Sequence, residues 1–259
     1  MKSKNVLGID IGGSGIKGAL VDLETGELTT ERIRIATPQP ATPEAVADTI
    51  AQICEQLKWK GAIGCGFPGV VQNGVAKTAA NIDKGFIDLN VETLIAKRTG
   101  APTVAVLNDA DAAGIAEMKF GAGRQEKGMV MLFTIGTGIG VVIFSKKKLV
   151  PNCELGHLWL PEAEGEAEKW MSDAARKNFD LEWDEWMNRI GVYLRTVEDL
   201  FWPDLIIIGG GFAKKMNAKE PIFGTRCRVV PAGLKNEAGI VGAALAASKQ
   251  AKKSKKEKE

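Results

Sequence analysis

The sequence predicts an α/β protein built from two duplicated halves, and two observations lead to this fold class. A buried strand, a glycine-rich turn and a second strand open the chain at residues 6–23, and the same pattern returns at residues 128–145. The chain has 259 residues, of which 45% are hydrophobic, and this is near the size at which one core divides into two. We therefore expect two domains of similar size, each beginning with a glycine-rich hairpin.

Strands and helices alternate through the first half. Apolar residues at helical spacing predict a helix over 42–57, with Thr42 as its N-cap and Pro43 in its first turn. Asn108 is the predicted N-cap of a later helix that ends at Gly121. The other elements predicted before it are strands at 27–36, 62–67, 68–71 and 103–108, a loop at 81–86 and a helix at 90–99.

The second half continues with a predicted helical stretch from about 165 to 200, a buried strand at 203–211 that ends in three glycines, and a last helix begun by Asn236. Residues 249–259 hold six Lys and two Glu, which is typical of a solvated, disordered end. The predicted domains are a small N-terminal lobe at 1–108 joined by a C-terminal helix at about 237–250, a larger lobe at 109–236, and a disordered tail at 251–259.

Composition narrows the classes of function. The four cysteines are dispersed, which is typical of a reducing compartment. No apolar run approaches about 18 residues, and the start MKSKNVLGID lacks the features of a secretory signal, so we expect a cytoplasmic protein without a membrane partner. Residues 249–259 contribute +4 to a formal charge of +2, which leaves the rest of the chain at −2. We therefore expect no nucleic-acid partner.

His157, in NCELGHLWLP, is the only histidine of the chain. A zinc site needs several Cys or His ligands at close spacing, and the chain has no C-x-C or C-x-x-C pair. Metal ligation by His157 is therefore disfavoured. On spacing alone, a structural histidine held by hydrogen bonds is the more common explanation.

Three glycine-rich turns stand at strand ends: GIDIGGSGIK, TIGTGIG and IIGGG. Backbone N–H groups in such turns can hold phosphate oxygens, although tight packing explains any single turn equally well. The first turn enters a strand, so it is not a dinucleotide fingerprint, and the chain has no GxxxxGK[ST] loop. Asp10 is a candidate ligand of Mg²⁺, directly or through water. The candidate phosphate-binding residues are Gly12, Gly13, Ser14, Lys17, Thr134, Gly136, Thr137, Gly138, Gly210 and Gly211.

Taken together, the repeated hairpins, the N-D pair at 108–109, ELGH at 154–157 and the late G-G-G resemble the ROK family of sugar kinases and repressors. The resemblance covers residues 5–248. It implies the actin-like ATPase/hexokinase (ribonuclease H-like) fold, with two duplicated lobes around a cleft, and commonly a homodimer. GFPGVV, AANIDKGF, ELGHL and DLIIIGGGFAKK are most similar to the polyphosphate glucokinases of this family.

The resemblance implies roles for individual residues. Asp109 matches the general base that takes the proton from the sugar 6-hydroxyl. Glu154 and His157 match a pair that binds the ring hydroxyls, so the resemblance favours a sugar ligand over a structural histidine. The other residues implied to line the sugar site are Asn108, Glu168, Gly69 and Asn81.

One departure concerns zinc. Many ROK members carry a C-x-C-G-x-x-G-C-x-E zinc motif after E-x-G-H, and the zinc helps to position the histidine. The corresponding segment HLWLPEAEGEAEKW has no such motif, and polyphosphate glucokinases lack it too. The resemblance therefore implies no structural zinc and leaves His157 to be positioned by packing and hydrogen bonds.

The segment after Gly211 bears on the phosphoryl donor. ATP-dependent members usually carry a long helical insertion there, whereas this chain has only FAKKMNAKEPIFGTRCRVVPAGLKNEAG before its last helix. Cations along a groove can bind a linear chain of phosphates, so we predict inorganic polyphosphate as the donor. The predicted cofactor is Mg²⁺, and the predicted acceptor is glucose. For any single lysine a solvated surface position is the more common role. The candidate cations are Lys84, Lys119, Arg124, Lys146–Lys148, Lys214, Lys215, Lys219, Arg226 and Arg228.

Three alternatives compete with this prediction, and the second of them does not fit the sequence. An ATP-dependent ROK glucokinase or mannokinase performs the same chemistry with another donor or sugar. A sugar-sensing repressor needs a DNA-binding helix-turn-helix ahead of the first strand, and only MKSK precedes Asn5. A non-catalytic sugar-binding protein is disfavoured because Asp109 is intact.

Overall fold

The computed structural model describes residues 5–213, 216 and 223–256. Its strands are β1 (Asn5–Gly12), β2 (Gly15–Asp22), β3 (Ile33–Ile35), β4 (Ile63–Phe67), β5 (Val71–Gln72), β6 (Val75–Ala76), β7 (Val104–Asn108), β8 (Met129–Ile135), β9 (Ile139–Ser145), β10 (Lys148–Val150), β11 (Trp159–Leu160), β12 (Gly165–Glu166), β13 (Leu205–Gly209) and β14 (Arg228–Pro231). Its α-helices are α1 (Pro43–Gln56), α2 (Val91–Thr99), α3 (Asp109–Phe120), α4 (Ala167–Met171), α5 (Asp173–Asn178), α6 (Trp183–Phe201), α7 (Gly210–Ala213) and α8 (Ala238–Lys256). Single 3-10 turns occur at Lys84–Phe86, Leu155–His157, Pro161–Ala163 and Lys235–Glu237.

The chain divides into two units. Unit 1 contains the described residues up to Ala116 together with those from Glu237 onward, and unit 2 runs from Glu117 to Asn236. The sequence analysis places the division at residue 108, whereas the first two turns of α3 belong to unit 1.

Each unit contains a five-stranded sheet with the same arrangement. The strand order is β3-β2-β1-β4-β7 in unit 1 and β10-β9-β8-β13-β14 in unit 2. In each sheet an antiparallel hairpin, β1–β2 or β8–β9, is followed by strands that run parallel to its first strand. The prediction of two duplicated halves is confirmed.

β3 is shorter than the strand predicted at 27–36. The amide of Leu20 on β2 donates to the side-chain hydroxyl of Thr30 at 3.1 Å. A side-chain acceptor there replaces the backbone carbonyl that a continuous ladder needs. Only Ile33–Ile35 therefore pairs with β2 as a strand.

Helix α8 packs on the sheet of unit 1 at backbone distance. A Cβ atom at Gly8 of β1 would overlap the carbonyl oxygen of Ile240, and one at Gly64 of β4 would overlap that of Ala243. Only glycine leaves room for such an approach. The two glycines therefore let the helix lie directly against the sheet, on the face opposite the core formed by the buried side chains of β1, β4 and α1.

α8 also continues beyond its predicted end. The sequence predicts a disordered tail from residue 251, yet the helix extends to Lys256, and residues 257–259 lie outside the described residues. Lysine is a good helix former, and its charge is favourable near a helix C-terminus.

No helix in the described ranges, α8 included, is long and apolar enough to cross a membrane.

The stretch predicted as helical from 165 to 200 is interrupted. Residues 165–166 form β12, and α4, α5 and α6 follow as separate helices. Ser172 ends α4 and caps α5, because it adopts an extended backbone and its hydroxyl accepts the Ala175 amide at 3.1 Å. The break reorients the chain between α4, which carries Glu168, and the amphipathic α6, which buries Trp186 and Tyr193 in the core of unit 2.

Candidate active site

The predicted site residues are divided between the two units. Unit 1 contains Asp10, Gly12, Gly13, Ser14, Lys17, Gly69, Asn81, Asn108 and Asp109. Unit 2 contains Thr134, Gly136, Thr137, Gly138, Glu154, His157, Glu168, Gly210 and Gly211.

Asp109 is the first residue of α3, directly after the buried strand β7. It is half-buried, and its Oδ1 atom accepts the Ala110 amide at 2.8 Å. The neighbouring strand approaches closely, since a Cβ at Gly66 would lie 3.4 Å from the Asp109 Cα. The positive end of the helix dipole favours a negative charge at this position, so the fold places the Asp109 carboxylate where its ionised form is stabilised.

Asn108 is the N-cap of α3, as the sequence predicts. Its Oδ1 atom accepts the amides of Ala110 at 2.9 Å and Asp111 at 3.0 Å. Its Nδ2 atom donates to the carbonyl of Gly69 at 3.2 Å. The side chain therefore ties the loop at Gly69 to the helix that begins with Asp109, and a second N–H of the amide is left for a ligand.

Asp10 and Lys17 face each other across the first hairpin. They are register partners on β1 and β2, and Lys17 Nζ lies 2.9 Å from Asp10 Oδ2. Gly239, at the start of α8, is close to the same carboxylate, because a Cβ there would lie 3.6 Å from Asp10 Cγ. One carboxylate and one ammonium thus stand together below the first glycine-rich turn.

The first glycine-rich turn packs against the loop that contains Asn81. A Cβ at Gly13 would lie 2.9 Å from the backbone oxygen of Asn81, so a side chain at position 13 would clash with that loop. Arg34, which the sequence analysis does not single out, donates from its Nη2 atom to the carbonyl of Ser14 at 3.0 Å. Arg34 lies on β3 opposite Lys17. Its polar side chain between Ile33 and Ile35 is the sequence signal that could have identified it.

The second glycine-rich turn joins β8 to β9 in unit 2. The Gly136 amide donates to the carbonyl of Gly138 at 3.0 Å, which closes the turn. Thr134 Oγ1 lies 3.5 Å from the carbonyl of Gly140. The amides of Thr137 and Gly138 remain as the candidates for phosphate oxygens in this turn.

Glu168 contacts this same turn. Its Oε2 atom accepts the Ile139 amide at 2.7 Å, and a Cβ at Gly138 would lie 2.6 Å from that oxygen. One oxygen of the predicted sugar ligand is therefore used inside unit 2, and its charge lies beside a candidate phosphate site. The sequence gives no sign of this contact, because it joins residues 29 positions apart.

The third glycine-rich segment lies beside the second. Gly210 has a positive φ of 76°, and a Cβ there would overlap the carbonyl oxygen of Ile135. Gly210 also forms an isolated parallel bridge with Ile135. Gly211 is exposed with open space around its Cα. The structure therefore brings the glycines at 210–211 next to the turn at 136–138.

The ELGH motif forms a single 3-10 turn over Leu155–His157. The turn is held from two directions. A Cβ at Gly156 would lie 2.6 Å from the carbonyl oxygen of Ile139 on β9, and the hydroxyl of Tyr193 on α6 donates to the Leu155 carbonyl at 3.0 Å. Glu154 and His157, at either end of the turn, are thereby fixed against the sheet of unit 2.

The pKa of Glu154 is shifted by burial and by two neighbouring ionisable side chains. Burial raises its pKa above the ordinary value of 4.5, and smaller electrostatic contributions come from His157, which opposes this shift, and from Glu168, which adds to it. Glu168 contacts the amide of Ile139 and the ELGH turn packs on the carbonyl of the same residue, so the three predicted sugar ligands of unit 2 stand near one another. The His157 ring also lies 3.3 Å, from Nδ1 to Oε2, from Glu166, which the sequence analysis does not single out.

Some of the candidate cations are occupied by other contacts. Arg226 pairs with Asp199 at 2.8 Å and stacks on the ring of Trp202, with 4.0 Å from Cζ to the ring centroid. Arg228 lies 3.4 Å from Glu126, and Lys84 Nζ donates to the Ala79 carbonyl at 2.7 Å. Lys214, Lys215 and Lys219 lie outside the described residues.

Other candidate cations are brought together at the opposite end of the β8–β9 hairpin from the turn at 136–138. Lys147 Nζ donates to the Arg124 carbonyl at 3.0 Å, and the Lys146 amide donates to the Gly128 carbonyl at 3.1 Å. We call this group the hairpin-end cluster, and all of its side chains are exposed. Its members are the candidate cations Arg124, Lys146, Lys147 and Lys148, together with Lys127, which the sequence analysis does not single out.

Comparison with known proteins places the chain in a family. Residues 6–169, more than half of the chain, match the ROK family profile. The polyphosphate glucokinase of Mycobacterium tuberculosis is 48% identical over 239 residues, which are 92% of this chain and 89% of that protein. The chain belongs to the ROK family.

Solved structures of ROK proteins share the fold. The inorganic polyphosphate/ATP-glucomannokinase of Arthrobacter sp. strain KM matches with a TM-score of 0.89 and 45% identity, covering 96% of this chain and 100% of that one. A ROK family glucokinase from Streptomyces griseus, solved with glucose and AMPPNP, matches with a TM-score of 0.78 and 26% identity, covering 95% and 99%. The predicted actin-like ATPase/hexokinase fold is thus confirmed.

Proposed function

We propose that the chain transfers the terminal phosphoryl group of inorganic polyphosphate to the 6-hydroxyl of glucose. One observation carries this proposal: a polyphosphate glucokinase is 48% identical over 92% of the chain. The proposal is supported by a carboxylate at a helix start and by glycine-rich turns in both units. Phosphoryl transfer needs an acceptor oxygen held in line and stabilisation of the charge on the transferred group.

Asp109 is the proposed general base. The sugar 6-hydroxyl donates to its carboxylate in the bound state, and the carboxylate takes the proton as the oxygen attacks the terminal phosphorus atom. The bond from that phosphorus to the bridging oxygen breaks, and the polyphosphate leaves one phosphate shorter. Its place at the start of α3 supports this role, because the helix dipole favours the charged form and the Ala110 amide fixes one of its oxygens.

The proposed sugar ligands act through hydrogen bonds to the other hydroxyls. Glu154 and His157 stand at either end of a 3-10 turn that the core of unit 2 holds in place. Asn108 has a second amide N–H to offer after capping α3. The remaining proposed ligands are Gly69 and Asn81, through their loops, and Glu168, through the oxygen that does not bind Ile139.

Phosphate binding is proposed for backbone amides and two cations. Lys17 and Arg34 supply positive charge beside the first glycine-rich turn, with Lys17 paired to Asp10 in this structure. Amides in such turns act as fixed donors toward phosphate oxygens. The proposed set comprises Gly12, Gly13 and Ser14 in unit 1 and Thr134, Gly136, Thr137, Gly138, Gly210 and Gly211 in unit 2.

A divalent metal ion accompanies this chemistry, and we propose Mg²⁺. Asp10 fits this ion, because Mg²⁺ is usually held by one or two carboxylates together with phosphate oxygens and water. Asp10 is partly exposed, with its side chain 23% accessible, and it has an ammonium partner that a metal could replace. Bound Mg²⁺ would neutralise charge on the donor phosphates.

The donor is tested by comparing glucose phosphorylation with long-chain polyphosphate and with ATP, each with Mg²⁺. We expect faster turnover with polyphosphate. Faster turnover with ATP would contradict the donor assignment and leave the kinase assignment standing. Glucose binding by calorimetry without product from either donor would instead favour a non-catalytic sugar-binding protein.

A second candidate is a kinase that uses both donors and accepts mannose as well as glucose. The likeness to the polyphosphate/ATP-glucomannokinase, at 45% identity over 96% of the chain, favours it. The same residues would perform the same chemistry. The ratio of kcat/KM for mannose and glucose, measured with each donor, separates the two candidates.

We also propose that the chain is a cytoplasmic homodimer. The dispersed spacing of the four cysteines supports a reducing compartment. The dimer is supported by the family resemblance and by apolar side chains at the end of α6, where Leu200 and Trp202 are 62% and 69% exposed. Light scattering during size-exclusion chromatography gives the mass in solution, and a monomer would refute the dimer.

A further inference from the structure

The side chain that faces the His157 ring is Glu166. Its Oε2 atom lies 3.3 Å from Nδ1 of His157. The backbone sets this contact, because Glu166 on β12 pairs with Trp159 on β11, two residues after the histidine. We propose that Glu166 is a positioning residue that fixes both the ring orientation and the proton of His157. The proposal rests on the proposed function, in which His157 binds the sugar.

The surroundings of Glu166 keep its carboxylate charged. Lys169, one turn further along the chain, places its Nζ atom 3.1 Å from the same Oε2. The hydrogen bond from Lys169, followed by that from His157, holds the pKa of Glu166 below its ordinary value. A charged carboxylate only accepts hydrogen bonds. The proton in the contact with His157 therefore belongs to Nδ1 of the imidazole.

The position of this proton decides what the other ring nitrogen does. A neutral imidazole with its proton on Nδ1 has a lone pair on Nε2. His157 thus accepts a hydrogen bond from a sugar hydroxyl through Nε2. The side chain of His157 is 56% exposed, so packing alone leaves the ring free to turn and to exchange tautomers. Glu166 removes that freedom before the sugar arrives, which lowers the entropic cost of binding.

The tautomer can be measured directly, because the chain has one histidine. Protein labelled with ¹⁵N-histidine and lacking a polyhistidine tag gives a single pair of imidazole nitrogen resonances. At a pH where the ring is neutral, we expect a protonated Nδ1 and an unprotonated Nε2 in the unmodified chain. Glu166→Ala is expected to shift the ring toward the form protonated on Nε2. Glu162→Gln, which changes an exposed carboxylate of the same segment, is the matched control and should leave the resonances unchanged.

Steady-state kinetics separate positioning from a general structural effect. Glu166→Ala is expected to raise KM for glucose about tenfold, the size of one lost hydrogen bond to a charged group. The value of kcat should change little, because the general base is elsewhere. Glu166→Gln keeps an acceptor oxygen and should recover most of the lost affinity. A structural role would lower activity in both variants together with their melting temperature.

Two results would overturn the proposal: an Nε2-protonated ring in the unmodified chain, or an unchanged tautomer in Glu166→Ala. Neither measurement needs turnover. Failure of the unmodified chain to phosphorylate glucose would refute the proposed function instead, and the two failures are therefore distinguishable.

Discussion

The hydroxyl of Tyr193 donates a hydrogen bond to the carbonyl of Leu155 at 3.0 Å. Tyr193 is fully buried on α6, and burial raises the pKa of its hydroxyl, which therefore stays protonated and remains a donor. Leu155 lies between Glu154 and His157. A core side chain thus supports the turn that carries two proposed sugar ligands, and the stability of unit 2 is linked to the geometry of that turn.

Tyr193→Phe tests this link. The substitution keeps the ring and leaves a buried carbonyl without its donor, so we expect a loss of about 1 to 2 kcal/mol in stability. KM for glucose should rise while kcat stays near that of the unmodified chain. Thermal melting and glucose kinetics check the two effects, and an unchanged KM in a destabilised variant would show that the turn does not depend on Tyr193.

Asp109→Asn is expected to lower turnover by about 10²- to 10⁴-fold, because the amide cannot take the proton of the 6-hydroxyl. Asparagine has almost the same shape, and its amide oxygen can still accept the Ala110 amide, so the fold should be retained. Glucose phosphorylation gives the rate, and circular dichroism gives the fold. Near-normal turnover would remove Asp109 from the mechanism.

Glu154 predicts a pH dependence of glucose binding. A carboxylate that accepts from sugar hydroxyls must be ionised, and burial raises the pKa of Glu154 above its ordinary 4.5. As the pH falls through this raised pKa, the residue is protonated and KM for glucose should increase. The increase should begin at a higher pH than for an ordinary glutamate.

Glu154→Gln provides the comparison for this pH profile. The variant cannot titrate at position 154, so it should bind glucose more weakly at neutral pH and lose the acid-dependent part of the profile. An identical acid-dependent rise of KM in the variant would assign that rise to another group.

Gly64→Ala is expected to destabilise unit 1 by about 3 kcal/mol, because a methyl group there collides with backbone and neither partner can move away cheaply. Amide hydrogen exchange in β1 and β4 measures the loss locally. Gly165→Ala is the matched control, since the nearest atom to a Cβ at that position is the Ala163 oxygen at 3.6 Å. Equal effects in the two variants would contradict the close packing of α8.

The hairpin-end cluster predicts a dependence on donor length. The strands β8 and β9 separate it from the turn at 136–138 by roughly 23 Å, seven residues at about 3.3 Å each. Only a long donor can reach both places. Lys147→Gln and Lys148→Gln should each raise KM for long-chain polyphosphate about threefold at low salt and leave KM for ATP and tripolyphosphate unchanged.

Lys97→Gln is the control for that series, because it removes the same charge from an exposed position on α2. Equal effects of Lys97→Gln and Lys147→Gln on long-chain polyphosphate would point to net charge alone. No effect of the hairpin-end substitutions would exclude the cluster from donor binding.

The sequence predicts best those features that neighbouring residues determine. The two hairpins follow from apolar strands that flank glycine-rich turns, and the cap at Asn108 follows from its place before an acidic helix start. Thr42 caps α1 as predicted, with its hydroxyl accepting the Ala45 amide at 3.3 Å. In each case the energy that selects the structure comes from atoms a few positions apart.

The missed features depend either on strand pairing or on a local signal that a stronger sequence pattern hides. Ser172 breaks a helical pattern because capping outweighs periodicity, and the pattern itself contains no strong breaker there. Glu166 and Arg34 gain their significance from strand pairing, which places them beside His157 and Ser14. Lysine-rich composition suggests disorder at 251–256, whereas helix propensity and a preceding docked helix extend α8 through it.

The discontinuity of unit 1 has a consequence for biosynthesis. A ribosome delivers residues 117–236 as one uninterrupted stretch, so unit 2 has its whole sequence before the last segment of unit 1 leaves the exit tunnel. Until α8 arrives, the grooves at Gly8 and Gly64 lack their cover. A chain that ends at residue 236 and is released from the ribosome should therefore acquire protease resistance in unit 2 and not in unit 1.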